Sequence, residues 1–260
     1  MGGVLKLKRL YRGVNRRSEI LKQKYPYRVQ CNICEWKGRI FSSDSWHPHT
    51  ICPNCGSHVR HRLVIEAVTA LPKFGTAALV YGKRVLHFAP EGAFSRFFKD
   101  RAGKYVTADL NRDNVDLNLN MSDMSGVGDG AFDLVIACDV LEHVPDDSAA
   151  LREIWRILSA QGWAILTVPQ KDGLASTFED KNITTPEGRL EAFGQEDHLR
   201  IYGDDFGEFV ETHGFNVTAV NERTFDPQVV DKHVLFPPIL SADPLATNHR
   251  RIYFAQRKSE

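Results

Sequence analysis

The apolar positions of this chain fall into short unbroken runs separated by stretches of helical spacing, most sharply between residues 132 and 169. Leu134, Val135 and Ile136 form a continuous apolar run, as expected of a strand covered on both faces. Asp146, Asp147 and Ser148 then offer an N-cap, and Leu151, Ile154, Trp155 and Leu158 recur at helical spacing. The pattern predicts that Gly162 stops this helix and that residues 163–168 form the next strand. Strand, helix and strand in this order make the βαβ unit of a parallel sheet.

Runs at 84–89, 105–109 and 115–119 predict three earlier strands, the first followed by a helix with Phe94, Phe97 and Phe98 on one side. After residue 169 comes a polar segment too long to be a bare connection. The helix predicted over 204–213 buries Phe206, Phe209 and Val210 and stops at Gly214, before two final strands at 215–220 and 251–256.

Four of the five cysteines form two C-x-x-C pairs, Cys31 with Cys34 and Cys52 with Cys55, separated by 17 residues. That spacing fits a four-cysteine zinc ribbon in a reducing compartment better than disulfides. Trp36 and Phe41 can cover a small core there. Four thiolates close the coordination sphere, so the zinc expected at Cys31, Cys34, Cys52 and Cys55 is structural. The ribbon is assigned to 31–62 and a linking helix to 63–82; the basic residues before it could contact phosphate or cofactor, but are read as solvated linker charges.

Lys plus Arg and Asp plus Glu number 33 each, but residues 1–30 hold nine basic residues against one acid, leaving a net −8 on the remainder. A basic N-terminal segment thus precedes an acidic body. No apolar run is long enough to span a membrane and no signal-peptide core follows the basic start, so a cytoplasmic protein is expected.

In a doubly wound sheet, ligands sit beyond the carboxyl ends of the strands. The run Cys138-Asp139-Val140-Leu141-Glu142-His143 ends one strand there, and Cys138 reads as an inert buried residue. The strand at 105–109 ends in Asp109, a carboxylate placed to accept hydrogen bonds from ribose hydroxyls. The turn after the first strand, Pro90-Glu91-Gly92-Ala93, is poor in glycine and carries an acid. Glu91 would repel a dinucleotide's pyrophosphate but tolerate a sulfonium and an ammonium.

With FDLV, LEHV and a helix ending before a glycine, the segment 132–169 resembles the fourth and fifth strands of class I S-adenosylmethionine-dependent methyltransferases. The element order extends the resemblance from about residue 83 to the C-terminus. It implies a seven-stranded Rossmann-like sheet over 83–260 that closes with an antiparallel hairpin. It also implies S-adenosylmethionine as cofactor, held by Ala89, Glu91 and Gly92 in the first turn, by Asp109 and Leu110, by Asn120 and Met121 in the adenine loop, and by Asp139. The family's usual glycine and acid positions here hold His87, Ala89, Glu91 and Ala93.

For the acceptor, an extended stretch from 198 to 202 would set His198, Arg200 and Tyr202 on one face. A hydroxyl acceptor benefits from a base, and His198 and then His143 are the candidates. Arg200 either holds an acidic acceptor or pairs with a nearby acid such as Glu179. Methylation of a small-molecule or carbohydrate acceptor, at oxygen, is the favoured expectation. RNA methylation with the ribbon and basic segment as docking surface is the alternative, and a non-catalytic zinc-ribbon binding protein the third reading.

Overall fold

The computed structural model describes residues 27–43 and 47–259, so most of the basic N-terminal segment lies outside the described residues. In chain order the strands are β1 (Val29–Gln30), β2 (Lys37–Gly38), β3 (Arg84–Phe88), β4 (Lys104–Asp109), β5 (Leu117–Asn118), β6 (Phe132–Cys138), β7 (Leu158–Thr167), β8 (Phe178–Glu179), β9 (Arg200–Ile201), β10 (Phe215–Val220) and β11 (Ile252–Arg257). The α-helices are α1 (Val59–Ala70), α2 (Thr76–Leu79), α3 (Gly92–Lys99), α4 (Asp147–Ile157), α5 (Pro186–Phe193), α6 (Phe206–Glu211) and α7 (Pro227–His233).

Seven strands form one sheet in the order β10-β11-β7-β6-β3-β4-β5. β11 runs antiparallel to both of its neighbours, and the other pairings are parallel. This is the doubly wound α/β sheet with an antiparallel C-terminal hairpin that the sequence predicts. One core layer packs α4 and α6 against the sheet through Leu151, Ile154, Phe206 and Val210. The opposite layer packs α1 and α3 through Leu63, Val64, Phe94 and Phe98. Burial on both faces explains why Leu134, Val135 and Ile136 are all fully inaccessible.

Two local expectations are corrected. Gly162 does not stop α4, which ends at Ile157; it lies inside β7, which starts at Leu158. Leu158 already pairs with Phe132, and the register shifts before Trp163 pairs with Leu134. A side chain at Gly162 would sit 2.9 Å from the Ser159 carbonyl oxygen, so the glycine serves this irregular approach. The linking helix starts at Val59, inside the segment assigned to the cysteine module. Its basic first turn is not solvated. Arg62 is fully buried and donates to the carbonyls of Thr50 (2.8 Å), Ser57 (2.7 Å), His233 (2.7 Å) and Val234 (2.9 Å).

The cysteine module is built on the β1–β2 hairpin and a small core of Cys31, Phe41, Cys52 and Val234, with Trp36 tilted against Phe41 at 5.5 Å. Among the described residues no helix is long and apolar enough to cross a membrane.

Candidate functional site

The sheet changes winding direction between β3 and β6, and the loops leaving their carboxyl ends diverge there, opening a crevice. At both strand ends a non-glycine residue turns the chain in the left-handed region: Ala89 at φ 47° and Asp139 at φ 53°. That conformation costs an alanine on the order of 1–2 kcal/mol, and such strain gathers at functional sites. Gly92 (φ 37°) follows at the start of α3.

Asp139 is the hub of the crevice. It accepts from Thr167 Oγ1 (2.8 Å), lies 3.2 Å from Arg60 Nε, and pairs with Arg250. Burial opposes its charge, but the two arginines hold its carboxyl well below the usual range. Arg60 Nη2 also donates to Glu91 at 2.8 Å, and His61 Nε2 touches the same carboxylate. Burial alone would push Glu91 up, yet Arg60 and His61 bring it to about 2. Glu91 is thus fixed by the first turn of α1.

At the end of β4, Asp109 Oδ1 accepts from the backbone N–H of Asn111 (2.9 Å) and Arg112 (3.2 Å), while Oδ2 lies 3.1 Å from Arg112 Nε. Leu110 beside it is 60% exposed, an apolar surface at the crevice rim. Asn120 caps its own turn by accepting from Ser122 N–H (3.0 Å), and Met121 is buried in the core layer. Buried His87 shares a 2.7 Å hydrogen bond with Tyr105, and burial lowers its pKa to about 3. Burial pushes the Cys138 thiol up to about 12.

Beyond Asp139 lies a cavity of about 220 Å³, lined by Arg60, Asp139, Phe193, His198, Ile201 and Arg250 among others. His198 is 2% exposed, and its Nδ1 lies 3.1 Å from the Phe193 carbonyl oxygen. Burial, then His143, lowers its pKa. The His143 ring meets it edge-on at 4.7 Å. Glu142, preceding His143, is 1% exposed; burial and then the Asp139 charge raise its carboxyl well above the usual range.

Of the predicted catalytic residues His198 lines the cavity, and His143, Arg200 and Tyr202 do not. Arg200 Nε donates to Glu179 (2.9 Å), and its remaining nitrogens donate to the carbonyls of Leu141 (3.1 Å), Val144 (2.5 Å) and Pro145 (3.1 Å). Tyr202 donates to Asp147 at 2.8 Å. Arg200 braces the loop that carries Glu142 and His143, and Tyr202 ties to the first residue of α4. The stretch is extended only at β9, and all three of His198, Arg200 and Tyr202 are buried.

The four paired cysteines converge: Cys31 Sγ lies 3.7 Å from Cys55 Sγ, Cys34 Sγ lies 3.6 Å from Cys52 Sγ, and all four lie within 4.8 Å of one another. These separations exclude disulfides, which need about 2.05 Å between sulfurs. Sequence reasoning missed Arg60, His61, Glu142 and Arg250. The signal available for the first two was the density of basic residues right after the second cysteine pair.

Solved structures similar to the chain include 1,6-didemethyltoxoflavin-N1-methyltransferase from Burkholderia thailandensis with bound 1,6-didemethyltoxoflavin and S-adenosylhomocysteine. That pair shares 15% identity over 69% of this chain and 72% of the other, with a TM-score of 0.46. An S-adenosylmethionine-dependent methyltransferase from Mesorhizobium loti shares 15% over 68% and 92%, with a TM-score of 0.47. One from Archaeoglobus fulgidus shares 13% over 70% and 89%, also with a TM-score of 0.47. No curated protein sequence matches the chain. A family model described as a methyltransferase domain matches residues 57–220, well over half of the chain, and the protein belongs to that family.

Proposed function

We propose that the protein transfers a methyl group from S-adenosylmethionine to an oxygen of a small or sugar-type acceptor, assisted by the His143–His198 pair. The observation that carries this reading is the meeting, at Asp139, of the β3 and β6 strand ends with a cavity of about 220 Å³. On the rim side, Asp109 suits two ribose hydroxyls, which would displace the half-exposed Arg112 side chain. Leu110 suits an adenine face, and the Asn120–Met121 turn its edge. The Ala89–Gly92 turn suits the methionine end, which Arg60, Glu91 and Asp139 would meet with both signs of charge. S-adenosylmethionine supplies an electrophilic methyl on a sulfonium, and the chain's own task is to position and activate the acceptor.

The cavity supports a compact acceptor. His198, with Nδ1 on the Phe193 carbonyl and Nε2 unpartnered, suits activation of a hydroxyl, and Arg200 and Tyr202 position that machinery. The four sulfurs fit a structural zinc. Tetrahedral Zn–S bonds of about 2.3 Å require sulfurs about 3.8 Å apart, close to the observed 3.6 and 3.7 Å. That ion would anchor the start of α1 and so deliver Arg60 and His61 to Glu91.

Calorimetry and thermal unfolding with S-adenosylhomocysteine test the reading. Bound at 100 times its Kd, the ligand should stabilise the fold by about 2.7 kcal/mol, and NAD should not. A protein that binds NAD and not S-adenosylhomocysteine would overturn it.

A further inference from the structure

The crevice holds a second convergence of metal-ligating atoms besides the four sulfurs. Glu142, His143 and His198 each bring one ligand atom to a point where all three lie within 4.8 Å of one another. Two of them are buried side chains with an atom that finds no hydrogen-bond partner: Oε2 of Glu142 and Nε2 of His198. Leaving two such atoms unpartnered is costly, which itself points to something they are built to hold.

The surrounding contacts set the histidines up as ligands. His198 Nδ1 lies 3.1 Å from the Phe193 carbonyl, so the proton sits on Nδ1 and the lone pair on Nε2. His143 Nδ1 lies 3.3 Å from the Asp197 carbonyl and 3.4 Å from its carboxylate, which favours the same tautomer. Outer partners of this kind orient imidazoles toward metals. The two chain segments are also tied together in advance: Leu199 N–H donates to the Glu142 carbonyl at 2.9 Å, and Arg200 clamps the carbonyls of Leu141 and Val144 on either side.

We propose that Glu142, His143 and His198 bind one divalent transition-metal ion of the zinc type, with an open coordination position on the side of His198, the one of the three that lines the cavity. Two imidazoles and one carboxylate suit such an ion, and three protein ligands leave room for a water or an acceptor oxygen. Ligand atoms around one tetrahedral ion at about 2.1 Å stand about 3.4 Å apart, so the three groups would draw together by up to about 1.4 Å on binding, His143, 34% exposed, having the most room to move. Metal binding stands by itself. Its role, polarising the acceptor oxygen, rests on the proposed methyl transfer, in which the histidine pair then assists through the bound ion.

The test is metal analysis of the full chain after dialysis against zinc, together with S-adenosylhomocysteine affinity. Wild type should retain two zinc ions per chain, and Glu142→Gln and His198→Ala one each, with ligand affinity unchanged. Loss of an outer partner costs about 10–100-fold in metal affinity, so loss of the Glu142 carboxylate should cost more than about 100-fold. Titration of wild type with Co²⁺ supplies a readout that no variant's folding can disturb: a thiolate charge-transfer band and a separate, thiolate-free ligand-field band. One zinc per chain in wild type, no thiolate-free cobalt band, or full zinc retention in Glu142→Gln would overturn the site. Two metals without S-adenosylhomocysteine binding would uphold the site and sink the proposed function.

Discussion

The two walls of the crevice are built on opposite electrostatic plans. On the β3–β4 side both site carboxylates stand beside a cation, Glu91 beside Arg60 and Asp109 beside Arg112, and Asp139, at the end of β6 where the walls meet, stands beside both Arg60 and Arg250. On the β6–β9 side, among the described residues, Glu142 has no cation within ion-pairing distance and His198 Nε2 no partner at all. Charges that are compensated stay charged and hold geometry. Polar atoms left uncompensated in a buried place keep their capacity for a proton or a ligand. Under the proposed function the first wall binds and the second carries the chemistry, and substitutions should separate the two.

The largest effect is expected from the support beneath the first wall. Cys31→Ser should remove one zinc per chain and destabilise the fold by several kcal/mol, as loss of a structural zinc does. Because α1 follows the second cysteine pair directly, S-adenosylhomocysteine affinity should fall too. An unchanged melting curve and affinity would show that the module and the wall are independent. Next comes the second wall: His198→Ala should lower turnover by about 10²–10⁴ while ligand affinity holds. A loss repaired by raising the acceptor concentration would move His198 from activation to binding. Asp109→Ala should do the reverse, weakening S-adenosylhomocysteine by about 1.5–3 kcal/mol in calorimetry. Equal affinity in the variant would place the ribose elsewhere.

Behind the first wall, His87 makes a pH prediction. Burial holds it at a pKa of about 3, whereas an unfolded histidine titrates near 6.5. Below that pH the unfolded chain binds a proton that the folded chain refuses, so stability falls as pH falls. The loss reaches about 2 kcal/mol at pH 5. Urea unfolding of wild type and His87→Gln at pH 7 and 5 should show the variant losing less, and equal losses would mean another group dominates. The smallest effect belongs to deletion of residues 1–24, which should leave ligand affinity and methylation intact. An abolished activity, with steeply salt-dependent RNA binding by the intact chain, would favour the RNA alternative.

Much of the sheet was legible because its signal is local. The apolar runs behind β3, β4, β6, β10 and β11 mark strands without reference to distant residues, and Asp146 does cap α4 by accepting from Ala149 N–H at 2.7 Å. What was hidden depends on partners far along the chain. The basic turn at 60–62 looked like solvated charge because the groups that receive it, Glu91, Asp139 and the carbonyls at 233–234, are remote in sequence. Gly162 looked like a helix stop because the pairing of Leu158 with Phe132 is invisible in the helical spacing of Leu158 itself. Glu142 lay in plain sight within LEHV, but nothing local tells that a single 3-10 turn buries it opposite a histidine 56 positions later.

Arg62 carries a consequence for the order of events during synthesis. Its guanidinium bridges the cysteine module to carbonyls 171 and 172 residues downstream. At about 5–20 residues per second, those carbonyls are made roughly 10–30 s after Arg62 itself. Until then a charge destined for full burial has only its local acceptors, Thr50 and Ser57. The module that is translated first therefore cannot be finished first: its last hydrogen bonds wait for residues 233 and 234, and the nascent protein locks as one unit.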